Sequence, residues 1–233
     1  MDNINKRLLF SFVIVIFGFI AIVAFNHNAS IASHKKTEDI VILIDPGHGG
    51  MDGGASSSSG TVEKNINLEI SKFVQKDLEK KGFKVILTRE DDSGLYDDEG
   101  TVKQKKNQDL SRRCELKKET KCNMFLSIHL NKFPEGKYKG SQVWYSDHEK
   151  SKELALLLQQ KFKEDIDPNN NRQIKAAGNQ YKVLRVNDDM PSVIIECGFL
   201  SNYEEEQLLK TEEYQKKLSI SIANAVEEYY RKN

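Results

Sequence analysis

The chain has 233 residues, and its 35 basic side chains are matched by 35 acidic ones, so the formal charge at pH 7 is zero. That balance offers no basic face to a polyanion, and no nucleic-acid partner is expected. With an apolar N-terminal segment set aside, roughly 195 residues remain, enough for one domain with a sizeable core.

That N-terminal segment, residues 8–25, is almost wholly apolar and follows Lys6 and Arg7. About eighteen such residues reach the lower limit for crossing a bilayer. The basic flank and the small residues Ala29, Ser30, Ala32 and Ser33 equally suit a secretory signal. Residues 1–25 are therefore expected to be a signal peptide or membrane anchor, the anchor being favoured because no clear A-x-A site closes the run. Cations on the N-terminal side keep that end in the cytoplasm, so the rest of the chain is expected to be exported, either anchored or secreted. Residues 26–39 read as a polar linker and residues 40–233 as one domain.

From there, apolar runs alternate with helical periodicity, the pattern of a mostly parallel twisted sheet covered by helices on both faces, an α/β fold in three layers. Strands are expected at 40–45, 84–89, 123–129, 141–146, 182–186 and 192–197. In the first crossover, Ile66, Ile70, Phe73, Val74 and Leu78 mark one face of a helix ending near Gly82. Further helices are expected at 109–119, 149–165, 203–210 and 213–230. Loops are expected at 53–60, rich in glycine and serine, at 90–106, acidic and then basic, and at 167–173, which holds Pro168 and three asparagines. Cys197 reads as a small buried hydrophobe, and Cys114 and Cys122 as core residues in preference to a bridge.

The chemistry starts at the first strand, which delivers Asp45, Pro46, Gly47, His48, Gly49 and Gly50 into a tight turn. Open α/β sheets place their sites at the carboxyl ends of strands, so His48 is a candidate for chemistry. Glu63 at the start of the first helix and His129 at the end of a neighbouring strand can meet it at one sheet edge. Two histidines and a carboxylate leave a tetrahedral zinc with one open position, which water takes in hydrolases. The plainer reading makes these histidines exposed or merely hydrogen-bonded. Glu196 ends the buried run Val193, Ile194, Ile195, where an acid is costly unless paired or used. It reads either as a general acid/base or as a cap or ion-pair partner.

At these residues the chain resembles a known family. Asp45-Pro46-Gly47-His48-Gly49-Gly50, then Glu63, then Ser127-Ile128-His129-Leu130-Asn131, then Glu196-Cys197-Gly198-Phe199-Leu200-Ser201-Asn202 look like the ordered motifs of the zinc-dependent N-acetylmuramoyl-L-alanine amidases of the amidase-3 type. The resemblance implies a phosphorylase/hydrolase-like fold that cuts the amide between the lactyl group of N-acetylmuramic acid and L-alanine in peptidoglycan. It implies one Zn2+ held by His48, Glu63 and His129, with Glu196 as catalytic acid. Thr88, Arg89 and Arg113 also match, Arg89 either organising the sheet edge or meeting substrate, and Asn131 either orienting the His129 loop or donating to substrate. The stretch from Asn131 through Lys132, Phe133 and Pro134 to Gly140, Gln142 and Tyr145 is similar to the spore-cortex amidases, which act in muramic-δ-lactam formation needed for germination. With no wall-binding repeats in the chain, an activating or targeting protein partner at the membrane is expected. Only one clear helix, 149–165, falls between His129 and Glu196, so an open cleft is expected. The competing functions are a zinc exopeptidase of similar fold and a noncatalytic peptidoglycan-binding module.

Overall fold

Because Val41, Ile42, Leu43 and Ile44 are all apolar, a strand built from them has two greasy faces and must be covered on both. In the structure, a computed structural model described for residues 37–233, this run forms β1 (Val41–Pro46). The leader at 1–25 and most of the linker at 26–39 lie outside the described residues. Residues Ile40–Asn233 form one compact unit. Among the described residues, no helix is long and apolar enough to cross a membrane.

Parallel to β1 on its two sides run β2 (Lys84–Leu87) and β3 (Met124–Asn131), and β6 (Ser192–Phe199) lies parallel beyond β3. Antiparallel to β6 comes β4 (Gln142–Tyr145), and the two-residue β5 (Lys175–Ala176) closes the edge. The order is β2-β1-β3-β6-β4-β5.

Alternate side chains serve opposite layers, as the pleat requires. Ile42, Ile44, Leu126, Ile128, Val193 and Ile195 share one core with α1 (Glu63–Lys80), α3 (Ser151–Lys161) and α6 (Glu212–Lys232). Leu43, Phe125 and Ile194 pack on the other face with residues of α2 (Val102–Glu119) and α4 (Lys182–Arg185). The short α5 (Tyr203–Leu209) follows β6. The expected three-layer α/β architecture is therefore present, with β4 and β5 running antiparallel to the other four strands.

Three expectations are corrected. Residues 182–186 are not a strand: Leu184 and Arg185 donate to the Tyr181 carbonyl, making the single helical turn α4. Its carbonyls are claimed by Lys117 Nζ, which donates to Val183 O at 3.0 Å and Val186 O at 3.2 Å from a fully buried position. An adjacent buried pair, Val183 and Leu184, suits a turn packed end-on as well as a strand, so sequence alone did not separate them. The sheet's remaining strand is instead β5, whose exposed residues carry no apolar signal.

The second correction concerns 90–106, whose last residues are the first turn of α2. Thr101 caps that helix, accepting from Gln104 N while the Gln104 side chain accepts from Thr101 N at 2.8 Å, a reciprocal box that fixes the start. Only Arg113, Cys114 and Lys117 of α2 are buried, so no apolar stripe announces its opening turns. Third, the expected helix at 149–165 is α-helical only to Lys161 and then widens into a π-turn, Phe162–Ile166, around the buried Phe162. All three cysteines are buried free thiols.

Removing the cap by Thr101→Ala is expected to cost ~1 kcal/mol of stability. Urea unfolding followed by circular dichroism measures it.

Candidate active site

At the carboxyl end of β1, Asp45 is only 1% exposed. Its carboxylate accepts from Thr88 Oγ1 at 2.7 Å and Ser127 Oγ at 2.6 Å, and pairs with the Arg113 guanidinium. Burial works against the charge on Asp45, but Arg113 and the two hydroxyls outweigh it and hold the pKa below its ordinary 3.8. Arg113, 2% exposed, also reaches Asp109 Oδ2 at 2.6 Å. Burial opposes its charge too, yet Asp45 and Asp109 raise its pKa above the ordinary range.

The same arginine shapes the loop that follows. It donates to Pro46 O at 3.0 Å and His48 O at 2.7 Å. Arg89 donates to Pro46 O at 3.0 Å, Gly47 O at 3.1 Å and Lys64 O at 2.9 Å. Three consecutive carbonyls are thereby turned toward buried guanidinium groups. His48 is left at a φ of 64°, the left-handed region that a non-glycine residue seldom adopts without outside support.

This backbone aims His48 Nε2 at Glu63 Oε1, 3.3 Å away, and His129 Nδ1 lies 3.1 Å from the same oxygen. The two imidazole rings meet edge to face with centroids 4.9 Å apart. The three side chains offer donor atoms within 4.8 Å of one another, a group that could hold a metal ion. Glu63, the first residue of α1 and 3% exposed, is fixed by Leu130 N at 3.0 Å on Oε1 and Ala55 N at 2.7 Å on Oε2. Burial would neutralise Glu63, but His129 and His48 keep its pKa well below the carboxylate range.

Close approach leaves no room for larger residues here. A Cβ on Gly47 would stand 2.3 Å from His129 Cε1, and one on Gly54, at a φ of +68°, would stand 2.6 Å from Glu63 Oε2.

On the other nitrogen of His48, Asp52 Oδ2 lies 2.9 Å from Nδ1, which suits a proton on Nδ1 and leaves Nε2 as the nitrogen that would bind a metal once it is deprotonated. Burial disfavours a charged His48, but the bonds to Asp52 and Glu63 lift its pKa to about 9. Asp52 is held in turn by Lys106 Nζ at 3.0 Å. Sequence reading missed Asp52; its position four residues after His48, next to glycines, was the available signal.

Glu196 sits on β6 in register with His129 on β3 and is 8% exposed. Its Oε2 is buried and has no hydrogen-bond partner. Burial is the main cause lifting its pKa to about 7, with His129 and His48 pulling down and Glu63 pushing up. Together with His48, Glu63, His129 and Tyr181 it lines a cleft of about 380 Å³. The structure brings neither Arg89 nor Asn131 into that lining. Every polar contact of Arg89 goes to a backbone carbonyl, and Asn131 closes β3 with its carbonyl accepting from Leu200 N at 2.9 Å. The stretch between His129 and Glu196 holds α4 as well as α3, and Tyr181, Lys182 and Val183 wall the cleft, so one helix is not the whole of that stretch.

Two imidazole nitrogens and one carboxylate oxygen, converging at the carboxyl edge of a parallel sheet opposite a free buried carboxylate, define the layout of an α/β metallohydrolase. The donor set suits zinc, since three protein ligands leave a position open. The chain belongs to the N-acetylmuramoyl-L-alanine amidase family, whose model matches residues 42–228, and it is an enzyme of that kind. It is similar to the germination-specific N-acetylmuramoyl-L-alanine amidase of Bacillus subtilis, at 35% identity over 82% of this chain and 79% of that one. Among solved structures, the CwlD amidase from Clostridioides difficile, determined in complex with the GerS lipoprotein, superposes with a TM-score of 0.81 at 42% identity, covering 84% of this chain and all of that one. An N-acetylmuramoyl-L-alanine amidase from Clostridium difficile 630 gives a TM-score of 0.72 at 32% identity, covering 82% of this chain and 97% of that one. The exopeptidase and the noncatalytic module are set aside by this membership.

Asp45→Asn leaves Arg113 buried without its full counter-charge and is expected to cost about 3–5 kcal/mol. In the parent protein the depressed Asp45 pKa contributes stability above pH 3.8 that disappears as pH falls through its lower folded-state value, so urea midpoints should drop steeply below pH ~4. If the His48, Glu63 and His129 group is loaded with zinc, Asp52→Ala is expected to keep the fold and weaken that binding about 10- to 100-fold, as read by competition with a chromophoric chelator.

Proposed function

We propose that this chain is a zinc-dependent amidase that hydrolyses the amide between the N-acetylmuramic acid lactyl group and L-alanine of the stem peptide, in spore-cortex maturation by muramic-δ-lactam formation needed for germination. The observation that carries the chemistry is Glu196: a buried carboxylate oxygen without a partner, in the same cleft as the His48, Glu63 and His129 donor atoms. The likeness to a germination-specific relative supports the cortex role.

His48, Glu63 and His129 would hold the metal. Zinc in that position supplies Lewis acidity toward water and the scissile carbonyl. Asp52 and the Glu63 backbone contacts fix the ligands, so little reorganisation is needed when the metal arrives. Glu196, with its pKa near neutrality, takes a proton from the attacking water and passes it to the departing amine of L-alanine. Its burial keeps bulk water from competing for that proton.

The apolar run at 8–25 behind two cations supports export of the domain, anchored or secreted, to the developing spore envelope. Because the similar CwlD amidase was determined in complex with the GerS lipoprotein, a protein partner at the membrane is part of this reading.

The test incubates the full-length, metal-loaded chain with peptidoglycan and identifies products by mass spectrometry. Stem peptides with a free L-alanine amine and muramic acid with a free lactyl carboxylate are expected. Absence of both from a metal-loaded preparation supplied with its partner would rule the reaction out. Glu196→Gln should retain zinc and lose roughly 10²- to 10⁴-fold in rate, whereas His129→Ala should lose zinc and activity together. Loss of zinc from Glu196→Gln would reassign that residue as a ligand.

A further inference from the structure

Of the basic side chains around the cleft, one forms no ion pair among the described residues. The basic side chains in the lining are Arg113, Lys106 and Lys182. Arg113 is paired with Asp45 and Asp109, and Lys106 with Asp52. Lys182 forms no ion pair among the described residues; its Nζ donates to Ser111 Oγ at 2.7 Å. The Ser111 hydroxyl gives its own hydrogen to Asn107 O at 2.8 Å, so its oxygen is free to accept from the ammonium. An ammonium has three hydrogens, and this contact uses one.

Nor is Lys182 a loose surface lysine. Its carbonyl accepts from Cys114 Sγ at 3.7 Å, and the carbonyls of Val183 and Val186 are held by the buried Lys117. Asn187 Nδ2 donates to Cys114 O at 2.7 Å, and the neighbouring Tyr181 ring packs edge-on against Trp144 at 5.4 Å. The turn is thus bolted to α2, and Lys182 lines the cleft from a fixed backbone next to Tyr181.

We propose that Lys182 is a specificity residue that binds a carboxylate of the stem peptide, on the residue following the L-alanine whose amide is cut. This rests on the amidase reading of the cleft. In such a substrate the N-acetylated sugars are neutral and the lactyl carboxyl is tied up in the scissile amide, so the anions available to an ammonium lie in the peptide. A charge-assisted hydrogen bond to a carboxylate is roughly twice as strong as one to a neutral amide, which makes the site selective between the two.

The test uses the full-length, zinc-loaded chain and two muramoyl-peptides that differ only in a carboxylate or a carboxamide on the residue after L-alanine. The parent protein is expected to favour the carboxylate about tenfold in kcat/KM, with the difference in KM. Lys182→Met should abolish that preference, mainly by raising KM for the carboxylate substrate, while keeping zinc content, and Lys182→Arg should retain most of it. Equal kcat/KM for the two substrates in the parent, or a Lys182→Met that lowers kcat on both alike, overturns the proposal and leaves the amidase reading standing. Calorimetric binding of the free stem peptides, acid against amide, separates the two ideas from the other side. Cleavage of neither substrate, together with Lys182-dependent binding of the acid peptide, would sink the amidase reading and uphold the carboxylate site; cleavage of neither without such binding removes both.

Discussion

The buried pair between Asp45 and Arg113 is the constraint on which the site depends. A carboxylate at the end of a central strand and a guanidinium on the covering helix are both nearly inaccessible, so each needs the other and the surrounding hydroxyls to remain charged. Once fixed, Arg113 has donors left over for Pro46 and His48 carbonyls, and Arg89 takes the carbonyls of Pro46 and Gly47. The backbone conformation that points His48 at Glu63 is therefore a consequence of charge buried beneath the loop, not of the loop's own preference.

The group of His48, Glu63 and His129, which could hold a metal ion, follows the same logic of opposed charges. Glu63 is deep enough to favour a neutral carboxyl, yet two imidazoles hold it ionised; His48 is buried enough to favour neutrality, yet two carboxylates hold its proton. A cation bound among these donors would replace the proton as the positive partner, and its affinity would then compete with histidine protonation. Glu196 lies outside this compensation. With no hydrogen-bond donor on Oε2, its charge is resisted by burial, and that brings it toward the neutral range where a carboxyl can both accept and return a proton.

The far wall of the cleft has a different origin. Lys117 is fully buried, pushed toward its neutral form by burial, and supports α4 through backbone carbonyls while lying over the Phe125 ring at 4.9 Å. Through it the helix on one face of the sheet fixes the turn that brings Tyr181 and Lys182 to the cleft. Core packing, ligand geometry and cleft wall are thus joined through two long cationic side chains of α2, Arg113 and Lys117.

Local signals in the sequence were enough for the strands β1, β3 and β6, because short, largely apolar runs ended by polar or turn residues have few other solutions, and for the carboxyl-edge placement of His48, His129 and Glu196. Ordered motifs also identified the family without coordinates. What sequence left open depends on contacts between segments distant in the chain. Residues 182–186 have strand-like composition, and only the buried Lys117, some 65 residues earlier, makes them a helical turn. The opening of α2 lacks an apolar stripe because its first turns are largely exposed, the buried residues of the helix, Arg113, Cys114 and Lys117, coming only later. The partnership of Asp52 with His48, the carbonyl-holding position of Arg89 and the lack of an ion pair at Lys182 among the described residues were decided by tertiary structure alone, since whether a polar group is satisfied is a property of its three-dimensional neighbours and not of its type.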